Sequence, residues 1–255
     1  MILHQPVIDN ETEALRLPTV PSCNHSKMSE KQKPLKSLEV RQICLENDLE
    51  ISDSQWQLLE KWAVMLLDVN QKVNLISRKE TDLLWEKQIL PCLSLLVLRK
   101  IEKGADVCDF GTGGGLPGMI LAIVRPDLRL TLLDSRQKKI VVLQQMIDAL
   151  KLKNVQTVPG RGEELGKQRP WRHRFPFVTA RAVAPLIDLV RWTSDLRKPD
   201  SVLHIFKGGE IRNEVTALTK VVSGIKVKKS LMVLKGYPHF AENQKYLISL
   251  EFSST

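Results

Sequence analysis

The chain of 255 residues is 43% hydrophobic, enough to bury one substantial α/β core with a small accessory element. No apolar run approaches the ~20 residues of a membrane span, and a formal net charge of +9 suits a polyanionic partner better than an acidic small molecule. Cys23, Cys44, Cys92 and Cys108 show no C-x-x-C spacing, which argues against a disulfide framework or a zinc site and for reduced thiols in a cytoplasmic protein.

Residues 1–36 mix Pro6, Pro18, Pro21 and Pro34 with polar residues in no sustained period, the composition of a mobile tail. Its acids Asp9, Glu11 and Glu13 and its lack of a long apolar segment fit neither a transit peptide nor a secretory signal. Residues 37–103 read as a small N-terminal helical layer. Ser52-Asp53-Ser54 offers helix caps before Leu58, Leu59, Trp62, Met65, Leu66 and Val69, whose three- and four-residue spacing makes one apolar stripe. Trp62 is read as core there rather than as a base-stacking surface. A further helix is expected from Glu80 to Arg99, with Pro91 kinking or breaking it.

Residues 104–255 read as one ligand-binding domain. Strand candidates Ala105–Phe110, Leu128–Leu133, Val155–Val158, Phe175–Ala180 and Ser201–Phe206 alternate with helices near Pro117–Val124, Gln137–Leu150, Ala184–Leu196 and Glu210–Lys220. That alternation predicts a mostly parallel sheet with right-handed crossovers. Lys226–Leu234, a turn region at Gly236-Tyr237-Pro238 and Lys245–Phe252 predict an antiparallel hairpin closing one sheet edge.

Val107-Cys108-Asp109-Phe110-Gly111-Thr112-Gly113-Gly114-Gly115-Leu116-Pro117-Gly118 reads as a strand, a glycine turn and a helix start, the way an α/β sheet offers backbone to a nucleotide-like ligand. Gly113, Gly115 and Gly118 also satisfy the G-x-G-x-x-G of nicotinamide and flavin enzymes, so glycine spacing alone does not choose the ligand. Asp109 is read as the deciding residue: a carboxylate beside the turn disfavours a pyrophosphate and favours S-adenosylmethionine, which carries a sulfonium and an ammonium. Asp134, at the end of the second strand candidate, is placed to accept hydrogen bonds from ribose hydroxyls, which both ligand classes possess.

Five blocks in this order resemble the bacterial RsmG (GidB) family: Asp109 to Gly118, Leu132-Leu133-Asp134-Ser135, Arg161-Gly162-Glu163-Glu164, Ala180-Arg181-Ala182-Val183-Ala184 and Phe206-Lys207-Gly208. Asn70-Gln71 and Asn74-Leu75-Ile76-Ser77 match a stretch that precedes the family's catalytic domain. The resemblance implies a Rossmann-like class I S-adenosylmethionine-dependent methyltransferase acting on N7 of a guanosine in small-subunit (16S) rRNA. It implies cofactor contacts at Gly111, Leu116, Gly162, Glu163 and Arg181, beside Asp109, Gly113 and Asp134. Where the family commonly has His-Ile-Leu-Asp-Ser, this chain has Gln88-Ile89-Leu90-Pro91-Cys92.

Guanine N7 carries an in-plane lone pair at neutral pH, so the implied transfer needs no general base and rests on positioning. No side chain is therefore singled out as a catalyst, and no metal is expected. Arg161, Arg181 and Lys207 are read as RNA- or base-positioning residues at the carboxyl ends of strands. Arg169, Arg172 and Arg174 form a basic loop around Trp171 that either clamps phosphates or is a solvated surface. For Glu163 and Arg181 the plainer alternatives are a helix-start acid and a structural ion pair. Other readings are a non-catalytic nucleoside-binding ribosome assembly factor, a nicotinamide-dependent oxidoreductase and a methyltransferase with another acceptor. The expected partner is 16S rRNA or the small ribosomal subunit, bound by a monomer.

Overall fold

Short runs rich in Val, Leu and Phe become the strands of one seven-stranded sheet in the computed structural model, which describes residues 37–253. The tail read at 1–36, including Cys23, lies outside the described residues. The parallel strands are β1 (Asp106–Phe110), β2 (Arg129–Asp134), β3 (Val155–Pro159), β4 (Phe175–Arg181) and β5 (Arg197–Gly208); β6 (Ile225–Leu231) and β7 (Lys245–Phe252) are antiparallel. Their spatial order is β3-β2-β1-β4-β5-β7-β6. The chain winds outward from β1 through β2 to β3, then returns to place β4 on the other side of β1. The winding therefore reverses between β1 and β4, where α/β sheets open a crevice at the carboxyl edge.

Helices α4 (Gly118–Val124), α5 (Gln137–Leu150), α6 (Gly162–Leu165), α7 (Leu186–Thr193) and α8 (Arg212–Val221) connect the strands. The period-2 alternation of β1 divides the core: Val107 packs with α4 and α5 on one face, while Cys108 and Phe110 pack with α7 and α8 on the other. Burial on both faces explains why these strands read as nearly continuous apolar runs. At the C-terminal end the hairpin takes a longer path than one turn. β7 inserts between β5 and β6, and the connection contains the Leu234–Tyr237 bridge and a short helix, α9 (His239–Glu242).

The helical layer consists of α1 (Ser37–Glu46), α2 (Asp53–Asn70), a 3-10 turn (Arg78–Leu83), a π-helical turn (Leu84–Ile89) and α3 (Leu90–Leu98). Ser52 is the cap chosen for α2. Its hydroxyl accepts from Gln55 N at 3.3 Å, and its own N–H donates to Gln55 Oε1 at 3.0 Å, a reciprocal capping box. Gln55 Nε2 also donates to Val124 O at 2.9 Å, tying α2 to the end of α4. Trp62 is fully buried and belongs to the core, as its helical spacing predicts.

The expected single helix over 80–99 is three segments. Pro91 lies in the first turn of α3, where its missing N–H leaves no gap in the ladder, and the turn before it widens so that Leu90 N reaches Trp85 O. Leu59, Trp62 and Leu93 of the layer share one cluster with Ile120, Leu132 and Leu143 of the sheet domain, so the core runs unbroken across position 104.

Candidate cofactor and acceptor site

A cavity of about 580 Å³ opens at the carboxyl edge over the winding reversal, within the ~300–1,000 Å³ of small-molecule pockets. Gly111, Gly113 and Leu116 of the glycine turn, Asp134 after β2, Gly162 and Glu163 after β3, and Arg181 after β4 all line it. Gly111 has φ +68°, and a Cβ there would come 2.6 Å from Val183 Cγ2; a side chain would both strain the backbone and collide with the loop after β4. A Cβ on Gly162 would lie 2.1 Å from the Phe110 ring, so only glycine lets α6 begin this close to β1.

Asp134 is 8% exposed and already oriented. Its Oδ2 accepts from Gly113 N at 2.9 Å and its Oδ1 from Arg136 N at 2.9 Å, which fixes the carboxylate and leaves lone pairs toward the cavity. Two hydroxyls of a ribose are the donors such a carboxylate fits. Glu163 stands 3.6 Å from Arg161 in an ion pair open to solvent.

Asp109 is corrected by the structure. It is fully buried beneath the turn and does not reach the cavity. Oδ2 accepts from the Thr112 hydroxyl at 2.6 Å and from Gly118 N at 2.9 Å, and Oδ1 accepts from the Thr179 hydroxyl at 3.0 Å. Burial raises its pKa to about 6 against the opposing pull of these donors. The carboxylate is a clamp that joins β1, β4 and the start of α4, and its charge is not presented to a ligand.

Arg181 lines the cavity but spends its terminal donors elsewhere. Nη1 donates to Gln88 O at 3.0 Å and to Cys92 Sγ at 3.3 Å, and Nη2 to Lys87 O at 3.0 Å and Gln88 Oε1 at 2.6 Å. It fastens the π-helical turn over the site, at the segment where the chain departs from the resembled pattern.

Lys207 is also corrected. Its ammonium donates to Glu214 at 2.8 Å and to Ala184 O at 3.2 Å, away from the cavity wall, so it ties α8 to the loop after β4 rather than facing a base. Arg169, Arg172 and Arg174 precede β4 and therefore lie at the amino edge, across the sheet from the site. Arg174 sits 5.1 Å over Trp171 and donates to Asp106, at the start of β1, at 3.3 Å. Of the basic residues read from the sequence, Arg161 and Arg181 border the cavity and the other four do not.

The cavity wall contains residues the sequence reading missed. Ser77, Glu80 and Gln88 enter from the helical layer, Arg136 and Lys139 from the start of α5, and Val183 and Trp192 from beyond β4. Arg136 and Lys139 had a signal: cations in the first turn oppose the helix macrodipole and need another reason to be there. Among the described residues no group of three or more His, Cys, Asp or Glu is arranged to hold a metal ion, and no helix is long and apolar enough to cross a membrane.

The family model "GidB: rRNA small subunit methyltransferase G" matches residues 55–243. A protein named ribosomal RNA small subunit methyltransferase G from Chlorobium phaeobacteroides is 36% identical over 201 residues, 78% of this chain and 87% of that protein. Its namesake from Chlorobium limicola is 38% identical over 178 residues, 69% of this chain and 79% of that protein. Among solved structures, a SAM dependent methyltransferase from Aquifex aeolicus superposes with a TM-score of 0.51 at 14% identity, covering 75% of this chain and 98% of that one. MtNAS in complex with MTA and tNA superposes with a TM-score of 0.54 at 11% identity, covering 86% and 76%. These two share the fold.

Proposed function

The chain belongs to the GidB family, rRNA small subunit methyltransferase G, and on that premise we propose that it moves a methyl group from S-adenosylmethionine to N7 of a guanosine in 16S rRNA. When bound, the cofactor supplies an electrophilic methyl on a sulfonium, and S-adenosylhomocysteine leaves once the N7 lone pair has taken that methyl. The protein's own residues bind and orient. Asp134 accepts from the ribose, the Gly111 backbone permits close approach of the methionine part, and Leu116 with Trp192 supplies apolar wall. Arg136, Lys139 and Arg161, which line the cavity, meet phosphates of the RNA in this reading.

The observation that carries this reading is a cavity wall that pairs the preset Asp134 carboxylate with neither a histidine nor a cysteine. A ribose-binding site whose wall offers no histidine or cysteine suits an acceptor that has no proton to lose. A pyrimidine-C5 acceptor would require a nucleophilic cysteine, whereas Cys92 and Cys108 are buried thiols whose pKa values burial pushes up, Cys92 to about 11. The reading extends to a cytoplasmic monomer acting on 16S rRNA or on the small subunit.

The test is transfer of labelled methyl from S-adenosylmethionine to 16S rRNA lacking the modification, followed by mapping of the methylated base. Label at guanosine N7 is the expected result. RNA that is bound but never labelled would replace the enzyme with a nucleoside-binding assembly factor.

A further inference from the structure

Three carboxylates face the cavity: Glu80, Asp134 and Glu163. Asp134 and Glu163 belong to the ends of β2 and β3, the nucleoside side. Glu80 reaches in from the helical layer instead, beside Arg181 and above the winding reversal where the methionine part lies in the proposed function. Its backbone approach is fixed by packing. Asn70, 2% exposed, accepts through Oδ1 from Leu75 N at 2.8 Å and Ile76 N at 2.9 Å, and both residues press on the glycine turn, 3.3 Å from where a Gly114 Cβ would stand.

Gln88 joins this acid to Arg181. Its Nε2 donates to Glu80 Oε2, while its Oε1 accepts from Arg181 Nη2 at 2.6 Å. Only one orientation of the amide satisfies both neighbours, because the flipped form would set N–H groups against a guanidinium and an oxygen against a carboxylate. The neutral amide thus links the acid to a guanidinium whose terminal donors are taken by Gln88, Cys92 and Lys87, and Glu80 Oε1 is left to the cavity.

Resting on the methyltransferase reading, we infer that Glu80 is the anionic subsite for the ammonium of the cofactor's amino-acid head group. This assigns to Glu80 the cation-selecting role that Asp109, buried under the turn, does not play. Ligands lacking the ammonium should therefore be blind to the acid.

The experiment measures calorimetric affinities of wild type and Glu80→Gln for S-adenosylmethionine, its decarboxylated form, which keeps the ammonium, and 5′-methylthioadenosine, which lacks the whole head group. We expect Glu80→Gln to lose tenfold or more for the first two ligands and to bind methylthioadenosine as wild type does, with Glu80→Asp recovering part of the loss. Undiminished binding of S-adenosylmethionine by Glu80→Gln overturns the inference, and so does an equal loss for all three ligands, which would make Glu80 structural. A wild-type protein that binds none of the three overturns the cofactor reading itself, an outcome distinct from either.

Discussion

At the carboxyl edge of the sheet, Arg136, Lys139 and Arg161 stand around a cavity floored by a glycine turn and an oriented carboxylate. At the amino edge, roughly 20 Å away by the length of a seven-residue strand, Arg169, Arg172 and Arg174 occupy a loop stapled to its neighbours. His173 N donates to Asp195 O at 2.7 Å there, and Arg174 is paired with Asp106. In sequence the amino-edge run is the more conspicuous, with three arginines and a tryptophan in eight residues. What separates the two edges is topology: strands of this sheet offer their carboxyl ends to ligands, and a loop that leads into β4 is delivered to the other end whatever its charge.

The largest effect should come from the buried clamp beneath the cavity. Asp109→Ala leaves Gly118 N–H and the Thr112 hydroxyl without their acceptor and the Thr179 hydroxyl with only Cys108 O at 3.5 Å, and at about 1.5 kcal/mol for each of the two orphaned groups we expect Tm to fall by about 6–12 °C in a thermal melt. A shift below about 2 °C would mean the clamp is dispensable. The difference between wild type and variant should also shrink as pH rises from about 4 to 6. A carboxyl whose folded pKa is raised from 3.8 to about 6 binds its proton more tightly when folded, so its contribution is complete below the unfolded value and is lost through that window. A gap that widens over the same range would reverse the assigned sign.

Next in size is Asp134→Ala. Removing two charge-assisted hydrogen bonds to ribose should weaken S-adenosylmethionine by about 100-fold in calorimetry, at about 1.5 kcal/mol or more for each. Retained affinity would take Asp134 out of the ribose site. The smallest effect bears on the two edges directly. Substituting Arg136, Lys139 and Arg161 together by alanine should reduce the slope of log affinity for RNA against log salt by about two, at ~0.7 per phosphate contact on a single strand. The matching triple alanine variant at Arg169, Arg172 and Arg174 should leave the slope near wild type. The opposite ranking would move the RNA to the amino edge.

Much of this was legible from residues alone. The order of apolar runs foretold the parallel sheet, and the acid ending the second run, Asp134, lies at the end of β2 in the cavity wall. The facing of Asp109 was legible too: strand alternation puts it on the same face as Val107, and that face is sealed by helices. At that position the strand period, not the charge, decides where the side chain points. The placement of the basic loop likewise followed from its position before β4. Glu80 and Gln88 had no such local signal. Gln88 meets Arg181 across 93 residues of sequence and carries Glu80 with it, through a layer whose docking is set by packing rather than by any motif.

That docking has a consequence for how the protein holds together. Because Ser77, Glu80 and Gln88 are simultaneously part of the cavity wall and of the layer sharing Trp62 and Leu93 with the sheet's core, ligand capture and helix attachment draw on one free energy. A fragment starting at β1 would keep the glycine turn yet lose a wall of its own binding site, and in the intact chain a tight ligand should delay the melting of both parts in a single cooperative transition.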